Sequence, residues 1–267
     1  MKIAVLASGS DGNCALVCAG QGADAVQVAL DCGIPQRPAR DLAERAGKSL
    51  TSVAAVLCTH GHSDHAAHVV AVAARAQAPL FAHPDALGRS RATSLKEVTR
   101  RGVRLVPLQD RVAFTLGPLH CTPVRLPHDA EPTFGFLFED ATGARAGFFT
   151  DLGHTAPLEG TLLDGVETLV LEFNHDRAML REGPYPPALQ ARVGGDLGHL
   201  ANEQSEELLA AHAPRALRTL VLAHLSRRNN TPDLARAAAE RGLRRRGLTG
   251  VEILVALPRG PLLAGTC

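Results

Sequence analysis

The chain has 267 residues, of which 45% are hydrophobic and 21% are charged, and this composition excludes a disordered protein. A net charge of +1 and an aromatic fraction of 3% give no sign of bulk attraction to nucleic acid or of a surface that stacks bases. No apolar run approaches the roughly 20 residues of a membrane span, and a polar loop at residues 8–12 interrupts the first apolar run, so we predict a cytoplasmic protein without a signal peptide.

Short β-branched runs alternate with Ala- and Arg-rich helical stretches, a pattern typical of a layered α/β fold. Strands are predicted at residues 2–7, 14–19, 25–30, 53–58, 103–106, 112–115, 119–124, 134–139, 145–150, 167–171, 218–223 and 251–256. Helices are predicted at residues 36–47, 64–77, 94–101, 155–163, 201–212 and 231–246, and a proline-containing excursion at 182–200. No linker or internal repeat is found, so one domain over residues 1–267 is expected.

Twelve histidines are unusually many for this composition, and four residues of metal-binding types follow one predicted strand closely. The cluster has the spacing HxHxDH and consists of His60, His62, Asp64 and His65. His60 and His62 alternate on an extended segment, so both imidazoles point to the same side. Asp64 and His65 open a helix, where a carboxylate suits the positive end of the helix dipole. Imidazole and carboxylate are good ligands for Zn²⁺, Mn²⁺ and Fe, so the cluster predicts a metal site.

The HxHxDH motif after a strand resembles the metallo-β-lactamase superfamily. That fold is a four-layer αβ/βα sandwich of two similar halves, with the metals at one edge of the facing sheets. The resemblance implies three further ligands at strand ends, a His, an Asp and a His. The sequence offers His128, Asp151 and His224 in this order.

The resemblance divides these seven residues between two divalent metal ions. The implied ligands of the first metal are His60, His62 and His128. The implied ligands of the second metal are Asp64, His65 and His224, and Asp151 bridges the two ions. A set of His and Asp ligands with a bridging carboxylate holds two metals about 3.5–4 Å apart, the geometry used for in-line phosphoryl displacement. Without a thiolate in the set, both Mn²⁺ and Zn²⁺ are expected to fit.

Further motifs resemble those of the YycJ/WalJ subfamily of bacterial metal-dependent hydrolases. In chain order they are SGSxGN, LDxG, PHDAxP, TDxG, LExNHD, GxYP, GHLxN and HLSxxNN. The subfamily is associated with 5′-to-3′ exonuclease action on double-stranded DNA. The resemblance therefore implies a dinuclear-metal phosphodiesterase with double-stranded DNA ends as its partner, whereas the ligand spacing alone indicates a two-metal hydrolase.

Proton transfer is assigned to three residues. His199 is the candidate proton donor for the leaving oxygen, by its similarity in position to a His of ribonuclease Z. Glu172 is expected to orient His199 and to raise its basicity. Asp64 is expected to combine metal binding with proton acceptance. The alternative is that Glu172 and His175 only support metal ligands and that His199 belongs to the start of a helix.

Phosphate contacts are predicted at two places. The small residues of the loop at 8–13 suggest free backbone N–H groups, which would form a phosphate cradle around Ser8, Ser10 and Asn13. A plain turn is the alternative. Arg227 and Arg228 follow a predicted metal ligand and are the preferred arginines. Further arginine candidates are Arg177, Arg181 and Arg192.

Three other functions remain open on the sequence. A small-molecule thioesterase or lactonase of the same fold predicts a narrow apolar pocket. An RNA-processing nuclease predicts the same ligands with a different substrate, although 72 residues between Asp151 and His224 are too few for an inserted β-CASP domain. A regulatory binding protein with a vestigial site predicts the loss of ligands, and all seven are present.

Overall fold

The computed structural model describes residues 1–88 and 90–265, and its strands form two seven-stranded sheets. The first sheet contains β1 (Lys2–Ala7), β2 (Cys14–Ala19), β3 (Val26–Leu30), β4 (Ala55–Leu57), β5 (Leu80–Ala82), β6 (Leu105–Pro107) and β14 (Leu262–Ala264). The second sheet contains β7 (Phe114–Leu116), β8 (Leu119–Leu126), β9 (Thr133–Asp140), β10 (Arg145–Phe149), β11 (Val166–Glu172), β12 (Thr219–Ala223) and β13 (Glu252–Val255).

The α-helices connect the strands of both sheets. They are α1 (Gln36–Arg45), α2 (Ser63–Ala66), α3 (Val69–Ala76), α4 (Leu95–Arg100), α5 (Arg177–Glu182), α6 (Pro187–Val193), α7 (Asn202–His212) and α8 (Pro232–Arg246). Within residues 1–88 and 90–265, none of the helices has the length and apolar character that crossing a membrane requires.

Both faces of each sheet are buried. Along β1, Ile3 and Val5 belong to a hydrophobic cluster that also contains phenylalanines of β9, whereas Ala4 and Leu6 belong to a cluster with α1 and α3. This alternation follows from the two-residue period of a strand. A third cluster joins the outer face of the second sheet to α7 and α8. The predicted α/β four-layer αβ/βα sandwich is confirmed.

The two sheets repeat one pairing pattern. From β14 through β1 and β2 to β3 the pairings are antiparallel, and from β3 to β6 they are parallel. From β7 to β10 the pairings are antiparallel, and from β10 to β13 they are parallel. In each half, the parallel strands therefore present their carboxyl ends together. The HxHxDH motif, Asp151 and His224 follow such ends, whereas His128 follows β8, which is antiparallel to both of its neighbours.

Several predicted elements differ from the observed ones. The predicted helix at 155–163 is wrong, since Pro157 and the left-handed Gly160 leave only a short 3₁₀ turn at Ala156–Leu158. The predicted helix at 64–77 is divided into α2 and α3. Strands β5 and β14, of three residues each, were not predicted.

The predicted excursion at 182–200 contains the helix α6 and borders α5. Its prolines indicated an irregular segment. However, Pro187 occupies the first turn of α6, where a proline costs little because that N–H has no partner within the helix. The prediction of one domain over residues 1–267 includes Thr266 and Cys267, which lie outside the described residues, and it stays a prediction.

Candidate metal centre

The structure brings all seven predicted ligands to one edge of the facing sheets. They follow β4, β8, β10 and β12 or lie on α2, and they are His60, His62, Asp64, His65, His128, Asp151 and His224. Asp151 and His224 have positive φ angles of 62° and 57°. Such conformations are strained for residues other than glycine and are concentrated at functional sites. The backbone thus turns sharply at each strand end to direct these two side chains inward.

Three imidazoles surround the first site. The ring centroids of His60 and His62 are 5.0 Å apart, those of His60 and His128 are 5.2 Å apart, and those of His62 and His128 are 5.1 Å apart. One nitrogen from each ring lies within 4.8 Å of the other two. A nearly equilateral arrangement of this size can direct three lone pairs at one ion.

A second group stands beside the first. The Oδ2 atom of Asp64 lies 3.6 Å from Nε2 of His65 and 3.8 Å from Nε2 of His224. Asp151 connects the two groups, because its Oδ2 lies 3.3 Å from Nε2 of His65 and its Oδ1 lies 3.9 Å from Nε2 of His128. The carboxylate of Asp151 therefore has the position of a bridge.

Three buried atoms at the centre have no hydrogen-bond partner among the described residues: Nε2 of His60, Nε2 of His224 and Oδ2 of Asp151. Burial without a partner costs free energy, and such atoms are rare in folded proteins. All three can act as electron-pair donors, and they are the atom types that bind Zn²⁺ and Mn²⁺. The residues present therefore fit two divalent cations.

Hydrogen bonds on the far side of the rings fix the ligands. Nδ1 of His65 donates to Oδ2 of Asp31 at 2.8 Å, and Nδ1 of His60 lies 2.9 Å from the hydroxyl of Thr59. The Thr59 hydroxyl in turn donates to Oδ2 of Asp31 at 2.7 Å. Such outer partners set ring orientation and raise ligand basicity. Asp31, from the LDxG motif, is a support that was not assigned from the sequence.

Glu172 holds the other side of the site. Its carboxylate is fully buried and accepts hydrogen bonds from Nδ1 of His224 at 3.0 Å and from Nδ1 of His199 at 2.9 Å. It also accepts from the backbone N–H groups of Asp151 at 3.2 Å and Leu200 at 2.9 Å. Burial opposes its ionisation, but the facing imidazoles hold the pKa of Glu172 at about 2. Glu172 is therefore an anion that orients both rings.

The histidine rings differ in proton affinity. Burial lowers the pKa of His60 and His128, so both rings are neutral, as metal binding requires. Burial also opposes protonation of His224, but the nearby Asp151 and Asp64 carboxylates raise the pKa of His224 to about 10. A proton and a metal ion compete for Nε2 of His224, so metal affinity is expected to rise with pH.

Close backbone approaches explain the glycines of two motifs. A Cβ atom on Gly33 would lie 1.7 Å from the carbonyl oxygen of Asp64. A Cβ atom on Gly153 would lie 2.1 Å from the carbonyl oxygen of Asp196. Glycine is required at both positions, because any side chain would displace backbone next to the site.

Residues 27–225 match the family model described as a beta-lactamase superfamily domain, and this range contains all seven ligands. The chain belongs to the beta-lactamase superfamily. The superfamily resemblance noted from HxHxDH is confirmed, and the protein is an enzyme of a hydrolase family.

Similar proteins of this superfamily cover most of the chain. The chain is 27% identical over 253 residues to exodeoxyribonuclease YycJ of Bacillus anthracis, covering 92% of this chain and 90% of that protein. It is 26% identical over 239 residues to exodeoxyribonuclease WalJ of Streptococcus pneumoniae, covering 88% of this chain and 85% of that protein. The resemblance to the YycJ/WalJ subfamily is confirmed at this level.

Solved structures show the same fold. The metallo-beta-lactamase fold protein YhfI of Bacillus subtilis has a TM-score of 0.67 at 16% identity, covering 99% of this chain and 100% of that chain. Zn²⁺-bound PqqB of Methylobacterium extorquens has a TM-score of 0.67 at 18% identity, with full coverage of both chains. At these identities the comparison establishes the beta-lactamase fold alone.

Four of the seven predicted ligands, His62, Asp64, Asp151 and His224, border a cleft of about 310 Å³. Its lining includes Ser10, Asp64, Tyr185, Arg192 and His199. His199 keeps 20% of its side chain exposed there, while Glu172 behind it is fully buried. Two of the predicted catalytic residues, Asp64 and His199, thus line one cleft, and Glu172 lies behind them, hydrogen-bonded to His199 and His224.

The loop at 8–13 differs from the predicted phosphate cradle. The prediction of free N–H groups is wrong for Ser8, Gly9, Gly12 and Asn13, which all donate to acceptors within the protein. The Ser8 hydroxyl accepts from the N–H of His224 at 2.8 Å. The side chain of Asn13 lies 2.8 Å from Nε2 of a metal ligand, His65. The loop therefore contacts two of the predicted ligands, His65 and His224, and among its predicted phosphate-binding residues Ser10 lines the cleft.

Arg227 and Arg228, the arginines that the sequence analysis preferred as phosphate contacts, lie outside the cleft. Arg227 is exposed and forms an ion pair with Asp11, and neither Arg227 nor Arg228 is among the residues that line the cleft. Their binding of phosphate stays a prediction. Arg192 lines the cleft instead, and its ion-pair partner Asp129 lies beside two ligands. Asp129 follows His128 in the PHDAxP motif, which was the available signal for it.

Stability is expected to fall in mild acid through His175, a buried residue outside the ligand set. Burial lowers the pKa of His175 to about 4, compared with about 6.5 in an unfolded chain. Between these values the unfolded state binds more protons. His175 therefore does not reduce the free energy of unfolding above about pH 6.5. As pH falls from about 6.5 toward about 4, that free energy decreases by about 3 kcal/mol.

The test compares urea unfolding of the wild type and His175→Gln in chelator at pH 4 and pH 7. The difference in unfolding free energy between the two pH values should be smaller in the variant. His120→Gln, at an exposed strand position, is the matched control and should keep the wild-type difference. Equal pH differences in the wild type and His175→Gln would contradict the prediction.

Proposed function

We propose that this enzyme is a dinuclear-metal phosphodiesterase that degrades double-stranded DNA in the 5′-to-3′ direction. The observation that carries the proposal is the pair of adjacent ligand groups joined by the buried Asp151 carboxylate. The exodeoxyribonuclease names of the relatives support DNA as the substrate. A cytoplasmic location and one domain over residues 1–267 belong to the proposal and rest on sequence patterns alone.

The chemistry divides between the ions and the protein. When bound, two divalent ions supply an activated water and positive charge at the phosphoryl oxygens. Asp64 has 24% of its side chain exposed to the cleft, so its carboxylate can accept a proton from the attacking water. His199 donates Nδ1–H to Glu172, which leaves Nε2 to hold a proton for the departing 3′-oxygen.

The size and polarity of the cleft support action at a strand end. A volume of about 310 Å³ is at the low end for ligand sites, and a duplex whose major groove alone is about 12 Å wide does not fit inside it. The end of one strand can enter. The lining contains carboxylates, imidazoles and a guanidinium, which does not favour the narrow apolar pocket of a thioesterase or lactonase.

The proposal is tested with blunt DNA duplexes labelled at the 5′ or the 3′ end of one strand. A 5′-to-3′ exonuclease releases a labelled mononucleotide at once from 5′-labelled DNA, whereas 3′-labelled DNA shortens gradually. Release from the 3′ label first would contradict the polarity. Faster cleavage of a matched RNA would favour RNA processing, and cleavage of thioesters or lactones alone would favour the small-molecule alternative.

Mn²⁺ is expected to support the fastest cleavage, even where Zn²⁺ binds more tightly. The donors are imidazoles and carboxylates without a thiolate, and hard oxygen ligands suit Mn²⁺. The measurement is the duplex cleavage rate after chelation and reloading with Mn²⁺, Zn²⁺ or Mg²⁺, with metal content determined in each sample. A maximal rate in Zn²⁺ without a response to Mn²⁺ would contradict this prediction.

A further inference from the structure

Arg192 is the one arginine or lysine that lines the cleft among residues 1–88 and 90–265. It lies near the end of α6, on the side of the cleft where His62 and His128 stand. Its side chain is 58% exposed. A cation at the mouth of a cleft that already contains acidic residues is suited to an anionic group of a substrate.

Asp129 connects Arg192 to the first ligand group. Its Oδ2 accepts a hydrogen bond from Nε of Arg192 at 2.5 Å. Its Oδ1 lies 3.4 Å from Nε2 of His62 and 3.5 Å from Nε2 of His128. The Asp129 carboxylate therefore holds the Arg192 guanidinium at a fixed position relative to the two predicted ligands.

The orientation of Arg192 depends on this contact. Helix α6 has no buried residue, so the packing of the helix alone does little to fix the conformation of the Arg192 side chain. The hydrogen bond to Asp129 uses Nε, and the terminal amino groups have no hydrogen-bond acceptor within the described residues. A guanidinium held in this way presents its remaining donors as a fork, which matches the oxygens of a phosphate.

We propose that Arg192 binds a phosphate group of the substrate and that Asp129 is its positioning residue. The inference rests on the proposed nuclease function and adds the group that receives the phosphate. It adds a contact to Arg227 and Arg228, whose phosphate binding stays a prediction; Arg227 pairs with Asp11, and neither of the two lines the cleft.

The test is Arg192→Gln in Mn²⁺-loaded enzyme, with KM and kcat measured on duplex DNA. Loss of a charge-assisted phosphate contact is expected to raise KM about tenfold, with a smaller change in kcat. The matched control is Arg218→Gln. Arg218 is also an exposed arginine in an ion pair, with Glu167, but it precedes β12 at the end away from the metal centre.

Binding supplies a second measurement. Fluorescence anisotropy across a salt series is recorded in a His199→Ala background, which is expected to bind metal but cleave slowly. One lost phosphate contact flattens the slope of log K against log salt by about 0.9. Arg192→Gln should show this change and Arg218→Gln should not. Unchanged KM and unchanged slope in Arg192→Gln would overturn the inference.

Duplexes with a 5′-phosphate or a 5′-hydroxyl distinguish the two sources of the phosphate. A defect confined to 5′-phosphorylated ends assigns Arg192 to the terminal phosphate, and equal defects assign it to a phosphodiester of the backbone. A wild type that neither binds nor cleaves DNA contradicts the proposed function itself. An active wild type with a normal Arg192→Gln contradicts only the present inference.

Asp129→Asn tests the positioning role. It should raise KM in the same direction while metal content stays at the wild-type level. The double variant Asp129→Asn/Arg192→Gln should be no worse than about the tenfold of Arg192→Gln alone, since one interaction cannot be lost twice. An additive loss of about 100-fold, or loss of metal in Asp129→Asn, would overturn the role of Asp129.

Discussion

Replacing Asp151 with alanine is expected to remove bound metal and to lower phosphodiester cleavage by at least about 10³-fold. Loss of an outer partner of a metal ligand typically costs about 10–100-fold, and a bridging ligand should exceed this. Asp151 lies 3.3 Å from Nε2 of His65 and 3.5 Å from Nε2 of His224, and its Oδ2 has no other partner among the described residues. Without this carboxylate, both ligand groups lose a shared anion.

The measurement pairs metal analysis of the purified variant with its duplex cleavage rate. Asp164→Ala is the control, because Asp164 is exposed in a turn that precedes β11. It should retain both metal and activity. Wild-type metal content in Asp151→Ala, or turnover close to the wild type, would contradict the assignment of the bridge.

Replacing His199 with alanine is expected to lower kcat by about 10²–10⁴-fold, the usual contribution of a general acid, while metal stays bound. The ring of His199 lies 5.0 Å from that of His128 and 5.1 Å from that of His224, so it adjoins both ligand groups. Its Nδ1–H is fixed on the buried Glu172 carboxylate at 2.9 Å. His199 lines the cleft, and with Nδ1 facing Glu172 the prediction assigns the transferred proton to Nε2.

A comparison of leaving groups separates proton donation from a structural role. A p-nitrophenolate departs without a proton, so His199→Ala should cleave bis(p-nitrophenyl) phosphate at nearly the wild-type rate and DNA slowly. His120→Ala, at an exposed position of β8, is the control and should be normal on both substrates. Equal losses on the two substrates would contradict the proton-donor role, and loss of metal would identify His199 as a ligand.

The ligand set was predictable because the HxHxDH motif marks four members locally and the superfamily resemblance supplies His128, Asp151 and His224. HxHxDH combines a strand end with a helix start, and Asp151 and His224 each end an apolar run. The carboxyl ends of parallel strands meet at one edge, so strand-end residues far apart in sequence converge. Local pattern and fold geometry therefore agree at these positions.

The surroundings of the ligands were less predictable. The pairing of Asp129 with Arg192 depends on the path of α6 across the cleft, which no local pattern specifies. The donors of the loop at 8–13 are occupied by acceptors that include the Asp64 and Leu257 carbonyls, remote in sequence. Strand β14 became visible only through its pairing with β1. Long-range partners decide these features, whereas composition and periodicity describe short windows.

The pairing of β14 with β1 makes the order of synthesis matter. Ile3, Ala4 and Val5 align with Ala264, Leu263 and Leu262, so β1 leaves the ribosome long before the strand that pairs with it. At about 5–20 residues per second, one edge of β1 waits roughly 13–50 s for its neighbour. An apolar strand with an open edge is a template for pairing with other chains.

The metal centre also depends on residues that are synthesised at different times. The N–H of His224 donates to the hydroxyl of Ser8, so a ligand from late in the chain is held by a residue made near its start. A nascent chain that stops short of β12 has the HxHxDH ligands but not His224. The seven predicted ligands can therefore come together only after β12 has been made, and slower translation is expected to lengthen the time for which one edge of β1 stays unpaired.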